Sequence, residues 1–170
     1  MITAAKVGLV IFLAVAIQTS FVAPITVFGA RGDVVLLVAI AAGLEGDAER
    51  GAIIGFAAGL TFDLLLNTPV GLSALTYCLI GYVVGTFQSS VLRSTWWIPV
   101  LATVLASALG VLLFAVLDQV VGGATVEPAR LPTIVAVVAI LNGVLSRPFR
   151  WVLRRALAEQ SAPRDRFFLR

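Results

Sequence analysis

The stretch GFAAGLTFDLLLNTPVGLSALTY, residues 55–77, is apolar for almost its whole length and yet contains a carboxylate, Asp63. Gly55 and Gly59 precede Asp63 at four-residue steps. Because such a step drifts by only about 40° on a helix of 3.6 residues per turn, the three residues share one face. The stretch therefore predicts an apolar helix that presents two glycines and one carboxylate to a closely packed neighbour.

The composition of the whole chain indicates an integral membrane protein. Of its 170 residues, 60% are hydrophobic and 12% are charged, whereas an average soluble domain is about 25% charged. Residues 7–30, 64–92 and 94–117 contain no charge, and a helix needs about 20 residues to cross the hydrocarbon core. The first run exceeds the apolar part of a typical signal peptide, about 7–15 residues, so we expect it to be retained.

Two shorter apolar segments flank the charged sequence EGDAER, residues 45–50, and they can form either two short spans or one re-entrant hairpin. A hairpin would bring the charges to membrane depth, at about 2.5–3.5 kcal/mol each. Two short spans cost only a fraction of a kcal/mol per Å of hydrophobic mismatch, so they are favoured. The predicted fold is an all-α integral membrane domain, residues 1–146, with six transmembrane helices at about 7–28, 34–44, 51–66, 70–90, 97–117 and 131–146.

The lysine and arginine residues orient these helices. Six spans place both termini on one side, and ten of the twelve basic residues fall on that side. Only Arg31 and Arg130 fall on the other. The positive-inside rule therefore predicts cytoplasmic termini.

Residues 147–170 form a basic cytoplasmic tail in this scheme. If its first part is helical, Phe149, Trp151, Val152 and Leu153 can lie at the level of the lipid headgroups. The candidates for contact with anionic lipid, or alternatively with a cytoplasmic protein, are Arg147, Arg150, Arg154 and Arg155.

Asp63 lies near the predicted outer end of a short span, about one turn before Asn67. There it can accept hydrogen bonds from Tyr77, Ser73, Thr68 or backbone amides at the start of span 4, where the helix dipole favours a negative charge. Intramembrane carboxylates are often functional. Structural bracing, contact with a partner subunit, and a ligand or proton site are the three interpretations.

The sequence contains little that points to catalysis. Histidine is absent and Cys78 is the only cysteine, which excludes an intramolecular disulfide and a Cys/His metal site. Neither a glycine-rich phosphate loop nor a D-x-x-D-G metal motif is present, and the arginines lie where membrane topology requires them. We therefore expect a protein with no enzymatic activity, no cofactor, no metal and no nucleic-acid partner.

The pattern Gly55-Phe56-x-x-Gly59-Leu60-x-x-Asp63 continues into further spaced residues: Pro69-x-Gly71, Ala74-Leu75-x-Tyr77 and Gly81-Tyr82-x-x-Gly85. Together they resemble the signature of the MreD family of rod shape-determining proteins. Chain length, six spans, Asp33 at the start of span 2 and a basic C-terminus fit the same family. Its members commonly have proline before that aspartate, where this chain has Gly32.

The resemblance implies a non-enzymatic subunit of the cell-elongation machinery in the bacterial inner membrane, where peptidoglycan synthesis is organised. Its partners would be MreC, the actin-like MreB, RodA with its partner transpeptidase, and membrane lipids; a homo-oligomer is compatible with the same role. The candidates for partner binding or helix packing are then Gly55, Gly59, Asp63, Pro69, Gly71, Tyr77, Gly81 and Gly85.

Two further expectations follow from the resemblance. The glycine-lined surfaces of spans 3 and 4 are predicted to receive the single membrane helix of MreC. The family also looks like the six-helix membrane S subunits of energy-coupling-factor vitamin transporters, which gives both a fold and an alternative function. For that alternative, the polar residues are too scattered to form an obvious ligand site.

Overall fold

A computed structural model describes residues 2–22, 31–65, 70–92, 97–123 and 128–157, and these residues contain six α-helices. They are α1 (Ile2–Ile17), α2 (Val34–Glu45), α3 (Ala48–Leu65), α4 (Leu72–Leu92), α5 (Ile98–Val120) and α6 (Leu131–Leu157). A π-helical turn, Gln18–Val22, extends α1, and a 3-10 turn, Pro128–Arg130, precedes α6. The prediction of an all-α fold with six helices is confirmed for this part of the chain.

Helix α2 is the centre of the fold. Residues Val34–Leu44 are all buried, and α2 contacts each of the other five helices. These residues are apolar on every side, which is the pattern of a helix with no exposed face. As a span exposed to lipid, this short helix is predicted to be mismatched with the bilayer, but in the structure protein surrounds it. The helix has 12 residues and is about 18 Å long. Its length therefore has to match that of the neighbouring helices rather than the thickness of the bilayer.

Helices α3 and α4 pack antiparallel with their backbones in direct contact. A Cβ atom added at Gly59 would lie 2.6 Å from backbone atoms of Ala74, and one added at Gly85 would lie 2.6 Å from backbone atoms of Ala48. These two positions are at opposite ends of the pair. The close approach therefore extends over most of the length of α3, and glycine is the residue that allows it.

The helix bundle has two distinct ends. At the first, Gly46 and Asp47 join α2 to α3, and the Oδ1 atom of Asp47 caps α3 by accepting from the backbone N–H of Arg50 at 2.8 Å. The Nε of Arg150 donates to Oε1 of Glu45 at 2.7 Å at the same end. We call this the Glu45 end. The opposite end, where Asp63 lies beside the start of α4, is called the Asp63 end.

Helices α5 and α6 are the longest, with 23 and 27 residues. Within the described parts of the chain, two segments are long and apolar enough to cross a membrane, Ile98–Val120 and Leu131–Arg155, while Ala5–Ser20, Val34–Glu45 and Leu72–Gln88 are shorter apolar helices. Helix α5 continues past the predicted limit at residue 117 and brings Asp118 into a buried position.

Helix α6 continues through Pro148 to Leu157, so residues 147–157 of the predicted tail belong to this helix. Proline inside a helix removes one hydrogen bond and costs about 3 kcal/mol. Packing offsets that cost, because Leu153 is buried and Phe149 packs against the same apolar core. The remainder of the predicted tail, residues 158–170, lies outside the described residues.

Candidate functional site at the Asp63 end

The Asp63 carboxylate caps a helix other than its own. Its Oδ2 accepts from the backbone N–H groups of Gly71 at 2.9 Å and Ala74 at 3.2 Å, and its Oδ1 accepts from that of Ser73 at 3.3 Å. The first turn of a helix has N–H groups without intrahelical partners, and its dipole favours a negative charge. Asp63 is only 1% exposed, so these three donors take the place of water around the carboxylate.

This arrangement contains the backbone donors that the sequence analysis expected for Asp63. Thr68, another donor considered there, and Pro69, a predicted site residue, lie outside the described residues. Gly71 has a φ of 102°, in the left-handed region that glycine adopts at little steric cost. Its conformation directs the first of the three N–H groups toward Asp63.

A second carboxylate, Asp33, caps α2. Its Oδ1 accepts from the backbone N–H of Leu36 at 2.8 Å, and its Oδ2 accepts from the hydroxyl of Tyr77 at 2.7 Å. Tyr77 is one of the donors predicted for Asp63, but in the structure its hydroxyl pairs with Asp33. The reason is that α2 lies against α4 and brings its N-terminus to the hydroxyl. Tyr77 therefore connects the start of α2 to the second turn of α4.

A further buried polar side chain at this end of the bundle, Gln18, is not among the site residues predicted from the sequence. Its Nε2 donates to the carbonyl of Gly32 at 2.9 Å, and its Oε1 accepts from the backbone N–H of Val34 at 2.9 Å. The side chain is buried. The available signal was a single glutamine within the uncharged, largely apolar run of residues 7–30. Gln18 connects the π-helical turn after α1 to the start of α2.

Four of the predicted glycines, Gly55, Gly59, Gly81 and Gly85, lie along the contact between α3 and α4. Gly55 lies against the backbone of Tyr77, and Gly81 faces Gly51. Gly43 of α2 joins them, since a Cβ there would lie 2.6 Å from the carbonyl oxygen of Gly81. The fifth predicted glycine, Gly71, lies in the turn before α4, where a Cβ would meet no atom within 4 Å. Helix packing and partner binding were the two roles expected for these glycines; the first four lie in packing contacts within the chain, and partner binding stays a prediction.

The four arginines predicted to contact lipid have different surroundings. Arg150 is half-buried and paired with Glu45, whereas Arg147, Arg154 and Arg155 are exposed. The guanidinium of Arg155 lies 3.8 Å from the ring centre of Trp151. Leu153, expected at the headgroup level, is instead buried in the core, because it lies on the side of α6 opposite to Trp151.

At the Asp63 end, the carboxylates of Asp63 and Asp33 connect helices through hydrogen bonds. Asp63 joins α3 to α4, Asp33 joins α2 to α4, and Gln18 joins the end of α1 to α2. Among the described residues, no group of three or more His, Cys, Asp or Glu side chains is arranged to hold a metal ion. The geometry is that of a brace that fixes the relative positions of four helices.

Comparison with known proteins identifies one family. A sequence model described as rod shape-determining protein MreD matches residues 2–156, nearly the whole chain. Neither a search of curated proteins nor a search of solved structures found a match.

Proposed function

This chain belongs to the MreD family of rod shape-determining proteins, and we propose that it is a non-enzymatic membrane subunit of the bacterial cell-elongation machinery. In this role it binds MreC and helps to organise peptidoglycan synthesis, together with MreB, RodA and the transpeptidase that works with RodA. The observation that carries the proposal is the family match over residues 2–156.

We place all six helices across the inner membrane, with the Glu45 end and both termini in the cytoplasm. Large apolar side chains are exposed on the outside of several helices, as Phe12, Phe56, Phe87, Leu105 and Ile140 illustrate. Such a surface is costly in water and is covered at no cost by lipid tails. The distribution of arginine and lysine supports the orientation.

A scaffold role fits the chemistry of the Asp63 end. Asp63 accepts hydrogen bonds from backbone N–H groups, and Asp33 accepts one from the hydroxyl of Tyr77. These hydrogen bonds connect α2, α3 and α4. A brace of this kind presents a fixed outer surface to partner proteins. Conformational rigidity reduces the entropy lost on binding and so favours assembly.

The sequence predicts that MreC binds at the glycines of α3 and α4, but Gly55 and Gly59 contact the backbone of α4. A partner helix would therefore have to separate α3 from α4 to reach them. Substitution of Gly55 or Gly59 by leucine affects folding as well as binding, so it does not by itself locate the partner.

The test is a purification of the tagged full-length chain from its native membranes in mild detergent, with mass spectrometry of the proteins that accompany it. Recovery of MreC together with MreB or RodA is the expected result. Recovery of two ABC-type ATPases and a coupling membrane subunit instead would mean a vitamin transporter and would overturn the proposal.

Disulfide cross-linking to MreC would then locate the contact. The chain has one cysteine, Cys78, which is first replaced by alanine. Single cysteines at exposed positions on different helices, Phe56, Leu79, Leu109 and Ile140, are each combined with a single cysteine introduced into the membrane helix of MreC and treated with a mild oxidant. They sample the outer surface without touching the braced contacts. If MreC binds the outer surface, one or two adjacent positions form the cross-link and the others act as matched controls.

A further inference from the structure

One side of α6 changes its chemistry along its length. The exposed residues Ala136, Ile140 and Val144 follow one another at four-residue steps, and Arg147, Trp151 and Arg155 continue the same ridge toward the Glu45 end. The ridge is therefore apolar up to residue 144 and basic and aromatic from residue 147. Such a change is expected where a helix passes from lipid tails to lipid headgroups, because tryptophan and arginine favour that depth.

The opposite side of α6 fixes the orientation of this ridge. Asn142, Ser146 and Leu153 are buried, and Phe149 packs against the core. Arg150 lies beside that buried side and pairs with Glu45. These contacts hold the helix past Pro148, so the ridge faces away from the protein over its whole length.

The charges on the ridge are of one sign. Arg154 and Arg155 are exposed, and Arg155 stacks on Trp151 at 3.8 Å. Val152 is 40% exposed on the same outward side. An indole and an apolar side chain beside two guanidinium groups match the boundary between acyl chains and phosphate. A guanidinium also binds phosphate oxygens through parallel hydrogen bonds.

We propose that the basic end of this ridge of α6, formed by Trp151, Arg154 and Arg155, binds the headgroups of anionic phospholipids in the cytoplasmic leaflet. Arg150 is excluded from this site because its guanidinium pairs with Glu45. The proposal rests on the membrane placement proposed above and does not depend on which proteins the chain binds. Each basic residue near an anionic surface raises local binding by about fivefold.

The test uses the fluorescence of Trp151 in the full-length chain. The chain has three tryptophans, so Trp96→Phe and Trp97→Phe leave Trp151 as the only reporter. The protein is reconstituted in phosphatidylcholine vesicles with a minority of phosphatidylglycerol. Bromine atoms placed near the headgroup end of the acyl chains, in one lipid class at a time, quench a nearby indole.

The expected result is stronger quenching by brominated phosphatidylglycerol than by brominated phosphatidylcholine at the same bulk fraction, with a local enrichment of about twofold or more. Arg154→Gln with Arg155→Gln should abolish the enrichment, and higher ionic strength should weaken it. The control pair Arg31→Gln with Arg50→Gln removes the same net charge away from α6 and should retain it.

Two results would overturn the proposal in distinguishable ways. Equal quenching by the two lipids would mean that the ridge meets the membrane without preference for anionic headgroups. Absence of quenching by either lipid would mean that the ridge is covered by protein or lies in the cytoplasm, and the membrane placement of α6 would fail with it. Neither result would affect the recovery of MreC.

Discussion

Two antiparallel helix pairs of this protein, α3 with α4 and α5 with α6, are held together in different ways. In the pair α3 and α4, glycines bring backbone against backbone, as at Gly59 and Ala74. In the pair α5 and α6, glycine faces a side chain, since a Cβ at Gly143 would lie 2.7 Å from Cγ2 of Val104. A side chain can rotate away from an added atom and a backbone cannot. The first contact is therefore fixed, while the second can adjust.

The buried polar groups of the two helix pairs also differ, in how completely they are hydrogen-bonded. Between α3 and α4, the Asp63 carboxylate accepts from three backbone N–H groups. Between α5 and α6, Nδ2 of Asn142 donates to Oγ of Ser107 at 3.0 Å, and Oδ1 of Asn142 has no hydrogen-bond partner among the described residues. The comparison predicts that substitutions in the first pair are costly and that similar substitutions around α5 are mild.

The largest effect is expected from Gly59→Leu. A leucine side chain at this position meets the backbone of Ala74 and Ser73, so α3 and α4 must separate, at about 3 kcal/mol or more. The yield of folded protein in detergent and its thermal unfolding temperature measure the loss. Gly8→Leu is the matched control, because a Cβ at Gly8 has no neighbouring atom within 4 Å. An equally stable Gly59→Leu protein would show that the two helices are not held backbone to backbone.

Asp63→Ala should have the next largest effect. It removes the acceptor of three backbone N–H groups at a buried position. Hydrogen bonds to charged groups contribute about 1.5–3 kcal/mol each, and the groups left behind recover part of that by rearrangement, so we expect a loss of about 3 kcal/mol. Asp63→Asn retains one carbonyl acceptor and should lose less. If the two variants unfold at the same temperature, the cap does not stabilise α4 as described.

Tyr77→Phe tests the link between α2 and α4. It removes the hydroxyl that donates to Asp33 at 2.7 Å and keeps the ring, so a loss of about 1–2 kcal/mol is expected. Asp33→Asn and the double variant complete a double-mutant cycle in thermal unfolding. A coupling energy close to zero would mean that the hydroxyl and the carboxylate contribute independently.

The smallest effect is expected from Gly110→Ala. A Cβ at Gly110 lies 2.8 Å from Cδ2 of Leu36, the end of a flexible side chain. Alanine also favours the helix by about 1 kcal/mol relative to glycine, so the two contributions should nearly cancel. Gly85→Ala is the paired measurement, because its Cβ lies 2.6 Å from the backbone of Ala48. Equal losses for the two variants would remove the distinction between the backbone contacts of α3 with α4 and the side-chain contacts around α5.

The sequence predicts the helices and part of the Asp63 site because both depend on local patterns. Apolar runs predict the helices, and the proximity of Asp63 to the turn before α4 predicts its backbone donors. The pairing of Tyr77 with Asp33 joins residues 44 positions apart and depends on how α2 crosses α4, which no local pattern encodes. The position of Leu153 depends in the same way on the rotation of α6 against the core.

The central position of α2 has a consequence for synthesis of the protein. Arg150 follows Glu45 by 105 residues, so α2 emerges from the ribosome well before α6, at a typical rate of about 5–20 residues per second. In the membrane placement proposed above, part of the surface of α2 faces lipid and Glu45 lacks Arg150 until α6 is inserted. Lipid tails solvate apolar side chains well, so a partly synthesised chain that lacks α6 can remain in the membrane. Packing of α6 against α2 is then a late folding step that follows the translation of α6.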